Sequence, residues 1–197
     1  MSFQRAIPQS PGFQPLPSPA TQENTAQAFL KLLNVSTIAE ARNLSSAALI
    51  RANTLQVAQS PYGQFTYGPV VDGIFVPALP GLSLNAGAFA RNVQLMSGHN
   101  VNEGLLFTDP RVQTDPQLIS FFKQVNPGSP QSAADQLLSL YPADYSGRYP
   151  WRSPTARTAQ VLSDVSFICN NYYLNRAYND QTYAYQFQVP PSYHGGK

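Results

Sequence analysis

Ser97-Gly98-His99-Asn100-Val101-Asn102-Glu103-Gly104-Leu105-Leu106-Phe107 is the stretch whose reading decides the fold of this chain. It follows the apolar run Val93 to Met96, which by its length and its Ser97-Gly98 flank reads as a short buried strand. Glu103 then falls in the loop beyond the carboxyl end of that strand, and glycines at 98 and 104 let the backbone turn close to it. A second stretch has the same form. Tyr183, Tyr185, Phe187 and Val189 alternate with Ala184, Gln186 and Gln188, the period of two of a half-buried strand. Val189-Pro190-Pro191-Ser192-Tyr193-His194-Gly195 follows, and its loop carries His194. An acid and a histidine therefore each follow a strand, the acid first.

Outward from these two strands the chain reads mainly as helix. Phe3 to Ile7 is a very short strand, followed by a Pro-rich loop from Pro8 to Pro19. Ala26, Phe29, Leu30 and Leu33 recur at helical spacing and predict a helix near 21–33. Thr37-Ile38-Ala39-Glu40 is a capping box opening a short helix, and Ser45 or Ser46 caps another that carries Leu49, Ile50 and Val57. Phe65 to Val71 reads as extended, and Pro77 to Gly87 as a loop. Asp115-Pro116 opens a helix with Asp as N-cap, Ser129-Pro130 opens a second, and Ser153-Pro154 opens the longest, running to about Tyr178 with one apolar stripe through Val161, Leu162, Val165, Ile168, Cys169 and Tyr172. Strands separated by helical stretches predict an α/β layer architecture with a mainly parallel sheet. The 197 residues read as one domain.

Composition removes several classes of function. The chain is 43% hydrophobic and 12% aromatic but only 11% charged, which argues against disorder. Its formal charge of +2 is spread along the sequence with no basic cluster, so no nucleic-acid partner is expected. No apolar run approaches the ~18 residues of a membrane span. Cys169 is the single cysteine, so no internal disulfide is expected and the residue reads as a small core hydrophobe. With two histidines and no clustered carboxylates, neither a metal nor a cofactor is expected. Met1 to Ile7 has no apolar signal-peptide region, whereas Asn34-Val35-Ser36 and Asn43-Leu44-Ser45 are sequons compatible with secretion.

In open α/β sheets, ligands sit beyond the carboxyl ends of the strands. A Glu placed there can accept the Nδ1–H of a His, set its tautomer and stabilise the imidazolium, while the His takes a proton from a hydroxyl nucleophile. Acid then histidine is also the closing order of a Ser…Asp/Glu…His triad on an α/β-hydrolase. The nucleophile motif G-x-S-x-G occurs nowhere; the nearest approach, Gly81-Leu82-Ser83-Leu84-Asn85, lacks the second Gly and reads as a loop with an ordinary serine. His99 reads as a loop residue with a backbone hydrogen bond, Asp72 as the residue that turns its loop, and Asp164 as a buried hydrogen-bonding carboxylate.

Four segments together resemble the type-B carboxylesterase/lipase family, the cholinesterase-like branch of the α/β-hydrolases, and its fungal members most closely. Phe3-Gln4-Arg5-Ala6-Ile7-Pro8-Gln9-Ser10 is similar to the family's segment shortly after the nucleophile elbow, and Gly68-Pro69-Val70-Val71-Asp72-Gly73 to its V-D-G loop. Gly98 to Phe107 resembles the block that holds the triad acid, and Phe187 to Gly195 the strand and loop that present the triad histidine. Asp164 to Cys169 on the long helix also fits. The resemblance spans nearly the whole chain in family order, and implies a partial α/β-hydrolase fold over residues 1–197 with Glu103 as acid and His194 as base.

The resemblance also implies what is missing. The family's serine elbow and Gly-rich oxyanion loop lie upstream of the segment matched by Met1 to Ser10. The expected function is therefore that of a fragment of a serine esterase acting on neutral carboxylic esters, inactive alone, with the N-terminal half supplied in cis or in trans and the complete parent secreted. A non-catalytic interaction module or partner-dependent remnant is the alternative.

Overall fold

The structure is a computed structural model that describes residues 3–12, 19–126 and 128–189. Among these residues three strands form the sheet: β1 (Arg5–Ala6), β2 (Gln94–Asn100) and β3 (Tyr183–Phe187), adjacent in that order and all parallel. Ala6 pairs with Leu95, and Met96, Gly98 and Asn100 pair with Tyr183, Tyr185 and Phe187. β2 is longer than the apolar run predicted, because pairing with β3 carries it on through Ser97-Gly98 to Asn100. Gln9 bridges to Gly98, so the chain beyond β1 still follows β2.

The helices connect these strands. α1 (Pro19–Leu32), α2 (Ile38–Arg42) and α3 (Ser46–Ala58) come first. The predicted capping box is formed: Thr37 Oγ1 accepts from Glu40 N–H, and the Glu40 carboxylate accepts from Ser36 N–H at 2.7 Å and Thr37 N–H at 3.0 Å, which together hold that carboxyl below its usual range. Ser45 caps α3. The 65–71 segment, expected to be extended, forms no strand, and Pro77–Gly87 is not all loop: α4 (Pro80–Asn85) occupies it, with Pro80 in the first turn where its missing N–H is harmless. Ser83 therefore sits on a helix rather than a loop.

α5 (Glu103–Phe107) follows β2, then α6 (Asp115–Val125) and α7 (Gln131–Leu140). The cap of α6 is Thr114, one residue before the expected Asp115, because Gln117 completes a capping box with Thr114. Pro130, not Ser129, stands at the cap of α7. The longest helical run is confirmed as α8 (Pro154–Ser163) and α9 (Cys169–Ala177), joined by a wider π turn over Asp164–Ile168 in which Cys169 N–H bonds to Asp164 C=O. Val112, Leu118, Phe121, Leu137, Val161 and Leu162 form the main core between α6, α7 and α8.

α9 packs on β2, where alternate residues Leu95 and Ser97 are buried. The opposite face of the sheet is open. Met96, Tyr183 and Phe187 are 41%, 73% and 51% exposed, and Tyr185 alone of its row on β3 is partly covered. The half-buried strand expected of the Tyr183–Phe187 row is thus a strand without its burial. Alternation fixes which residues share a face, but burial requires a second layer. Parallel sheets are ordinarily covered on both faces; here one cover is absent among the described residues.

Candidate active site

The parallel sheet brings two chain segments together at its carboxyl end: the residues after β1, ending at Ser10, and the residues after β2, ending at Glu103. Ser10 N–H donates to Gly98 C=O at 2.7 Å, which ties the first segment to β2. Ser10 has φ +55°, the left-handed region that a serine seldom occupies. The other non-glycine residues with positive φ among those described are Asn34, Asn179 and Asp180, types that tolerate it. In this conformation the Ser10 hydroxyl donates to Glu103 Oε1.

Glu103 is the first residue of α5 rather than a loop residue, with Val101 and Asn102 making the turn from β2. A carboxylate in the first turn of a helix is electrostatically favoured. Its Oε1 also accepts from the Asn100 backbone N–H at 2.8 Å and from Asn100 Nδ2 at 3.0 Å. These three hydrogen bonds from described residues converge on Oε1, and Oε2 takes none of them. A carboxylate anchored through one oxygen in this way is held rigidly, with the other oxygen open to a further donor.

The next residue explains the closeness of the helices. Gly104 is buried against α8, and a Cβ there would overlap the Ala159 carbonyl and stand 2.7 Å from Ser163 N. Gly104 N–H donates to Ser163 Oγ at 2.8 Å, and Thr108 Oγ1 caps Gly104 C=O at 2.7 Å. Gly98 has a different reason: the Tyr185 ring of β3 lies over it where a side chain would otherwise project.

Val101 N–H bonds to Phe187 C=O at 3.0 Å, so the chain leaves β3 beside the turn that leads to Glu103. His194 lies outside the described residues. His99 is on β2, not in a loop, and its Nδ1 is 2.9 Å from Asn100 O. Asp72 turns its loop as expected: Oδ1 accepts from Ile74 and Val76 N–H, each at 2.9 Å, and these bonds hold its carboxyl below the usual range. Asp164 accepts from Tyr141 Oη at 2.6 Å and Gln160 Nε2 at 2.9 Å, and burial together with this bond pushes the Tyr141 hydroxyl upward. Cys169 is half-buried and burial raises its thiol.

Ser10 and Asn100 went unassigned as site residues in the sequence. Both lie in segments that mattered, but only their shared acceptor distinguishes them from ordinary polar loop residues.

The sequence pattern of the carboxylesterase family matches residues 1–196. The chain belongs to the carboxylesterase family. It is 34% identical over 194 residues to the carboxylesterase patB of Penicillium expansum and 31% identical to that of Aspergillus clavatus, in each case over 98% of this chain and 35% of the relative. The chain thus spans about a third of the length of these curated carboxylesterases. Among solved structures it superposes on Aspergillus niger EstA with a TM-score of 0.77 at 18% identity, covering 93% of this chain and 37% of the other. On a carboxylesterase of Geobacillus stearothermophilus the TM-score is 0.70 at 22% identity, covering 96% of this chain and 40% of the other. Its fold is therefore part of an α/β-hydrolase fold.

Proposed function

We propose that this carboxylesterase portion supplies the acid and the base of a serine-esterase triad, Glu103 and His194, acting on neutral carboxylic esters. The observation that carries this reading is the Glu103 carboxylate, fixed at the carboxyl end of β2 with three hydrogen bonds to Oε1 and none of these to Oε2 among the described residues. Oε2 would accept Nδ1–H of His194, leaving Nε2 to draw the proton from a serine hydroxyl as that serine attacks the ester carbonyl. The serine and the oxyanion donors come from outside these residues, since the chain has no G-x-S-x-G. They are supplied by an upstream portion in cis or by a separate chain, and the relatives' greater length supports this. Ser10 is read as a partner of the acid, since its hydroxyl donates to the Glu103 carboxylate.

The test is hydrolysis of p-nitrophenyl butyrate. Residues 1–197 alone hydrolyse it no faster than a Glu103→Ala, His194→Ala double variant. In the assembled esterase, this chain joined to or co-expressed with a nucleophile-bearing upstream portion, Glu103→Gln lowers kcat about a thousandfold or more, by analogy with loss of the triad acid elsewhere. Full activity in that variant would remove Glu103 from the triad.

A further inference from the structure

The long helix on the sheet turns an unusual set of residues inward. Where its stripe runs apolar through Val161 and Leu162, it becomes polar on reaching the π turn: Ser163, Ser166, Asn170 and Asn171 are all buried, at 2%, 4%, 6% and 5% exposure. Burying polar side chains on a core-facing helix is unfavourable unless each is hydrogen-bonded. π turns inside α-helices are uncommon and recur at functional sites.

Ser163, Asn170 and Asn171 are hydrogen-bonded through their side chains, and the first two reach the segments that form the candidate site. Ser163 Oγ accepts from Gly104 N–H at 2.8 Å, one residue beyond Glu103. Asn170 Nδ2 donates to Pro11 C=O at 3.0 Å, one residue beyond Ser10, and to Ser166 C=O at 2.6 Å. Asn171 Oδ1 accepts from Ser97 Oγ, and its Nδ2 donates to Phe167 C=O at 3.0 Å. Phe167 stacks on Phe107 of α5 with ring centres 5.8 Å apart, and its ring edge is 3.0 Å from where a Cβ on Gly12 would stand. The site-forming segment after β1, strand β2 and the start of α5 are thus all fastened to the stretch from Ser163 to Asn171 that spans the π turn.

We propose that the π turn is a brace, with Ser163 and Asn170 as positioning residues that hold the Glu103 and Ser10 segments at the spacing their hydrogen bond requires. The proposal rests on the reading of Glu103 as the triad acid. Neither residue touches substrate or reacting atoms. Their effect is transmitted through Gly104 and Pro11, and it sets where the carboxylate stands rather than how tightly ester binds.

The experiment uses the assembled esterase with p-nitrophenyl butyrate, well below the thermal midpoint of every variant. Ser163→Ala and Asn170→Ala each lower kcat about ten- to hundredfold with KM held within about twofold, the signature of a misplaced catalytic group. Ser163→Thr, which keeps the acceptor oxygen, restores most of the loss. Leu118→Ala, in the core away from the site, lowers the midpoint and leaves kcat of the folded protein unchanged. Glu103→Gln separates the two readings. If it abolishes turnover while Ser163→Ala and Asn170→Ala keep wild-type kcat, or lose it only in step with their midpoint as Leu118→Ala does, the brace is overturned and the triad reading stands. If Glu103→Gln is itself fully active, the triad reading falls and takes the brace with it. Should Ser163→Ala not fold, Asn170→Ala decides on the same readout.

Discussion

At the scale of single residues, the site is made by Ser10 as much as by Glu103. Ser10 is held at φ +55°, and a non-glycine residue in that region costs about 1–3 kcal/mol, a cost that persists only where surrounding contacts over-determine it. Here the Gly98 carbonyl and the Glu103 carboxylate do so from opposite ends of the residue. The hydroxyl and the backbone can be separated by substitution. Ser10→Ala loses the hydrogen bond and keeps the strain; Ser10→Gly loses the bond and relieves the strain. Both are expected to lower kcat of the assembled esterase about tenfold, the value of one hydrogen bond to a charged acceptor. Ser10→Gly should nevertheless melt above Ser10→Ala, by roughly 1 kcal/mol in chemical denaturation. Equal stabilities would show that the backbone at Ser10 is unstrained.

At the scale of elements, the packing of α5 on α8 places the acid. Glu103 begins a helix of only 5 residues, too short to stand by itself, so its position is inherited from what it lies against. The contact is backbone on backbone, through Gly104 onto Ala159 and Ser163. Gly104→Ala ordinarily favours a helix by about 1 kcal/mol. In this position the added methyl forces α5 away from α8, and overpacking of this kind costs about 1–3 kcal/mol. The expected result is a lower urea midpoint together with a kcat reduced at least as far as in Ser163→Ala. A stabilised, fully active Gly104→Ala would mean that the two helices are not in this contact.

At the scale of the whole molecule, the exposed apolar surface has one coherent explanation. Ile74 and Phe75 are 89% and 90% exposed, Phe65 72%, and Tyr183 and Phe187 lie on the open sheet face. Isolated apolar residues on a surface need no explanation, but an open parallel-sheet face does. The carboxylesterases and the solved α/β-hydrolase structures that this chain matches extend over about two and a half to three times its length, so a further portion of that kind is the expected cover. The isolated 197 residues are therefore expected to bind 8-anilinonaphthalene sulfonate and to melt over a broad range, and joining the upstream portion should abolish dye binding. A dye-silent isolated chain with a sharp transition would show the open face to be covered in another way.

Local chemistry made much of this legible in advance. The capping box at Thr37 to Glu40, the Ser45 cap, the Ser153-Pro154 start of the long helix and the Asp72 turn all depend on residues within four positions of one another, and each is where the sequence put it. Order along the chain sufficed for the strands as well, because parallel strands joined by helices leave the residues after β1, β2 and β3 at one end of the sheet. The placement of Glu103 beyond β2 and the membership of the carboxylesterase family follow from the same local patterns.

Other features depend on residues far apart in sequence, and no local pattern encodes them. Ser10 meets Glu103 across 93 positions, and Asn170 meets Pro11 across 159. Arg157 is 3% exposed, bonded to Tyr141 C=O and paired with Asp115 at 2.5 Å across 42 positions. The period of Tyr183, Tyr185 and Phe187 gave their common face correctly but not its exposure. Sequence by itself determined the local elements, their order and the family, because caps, turns and periodicity are set by neighbouring residues. Tertiary structure alone decided which polar side chains share an acceptor and which face lies open, because those depend on the layers that pack together.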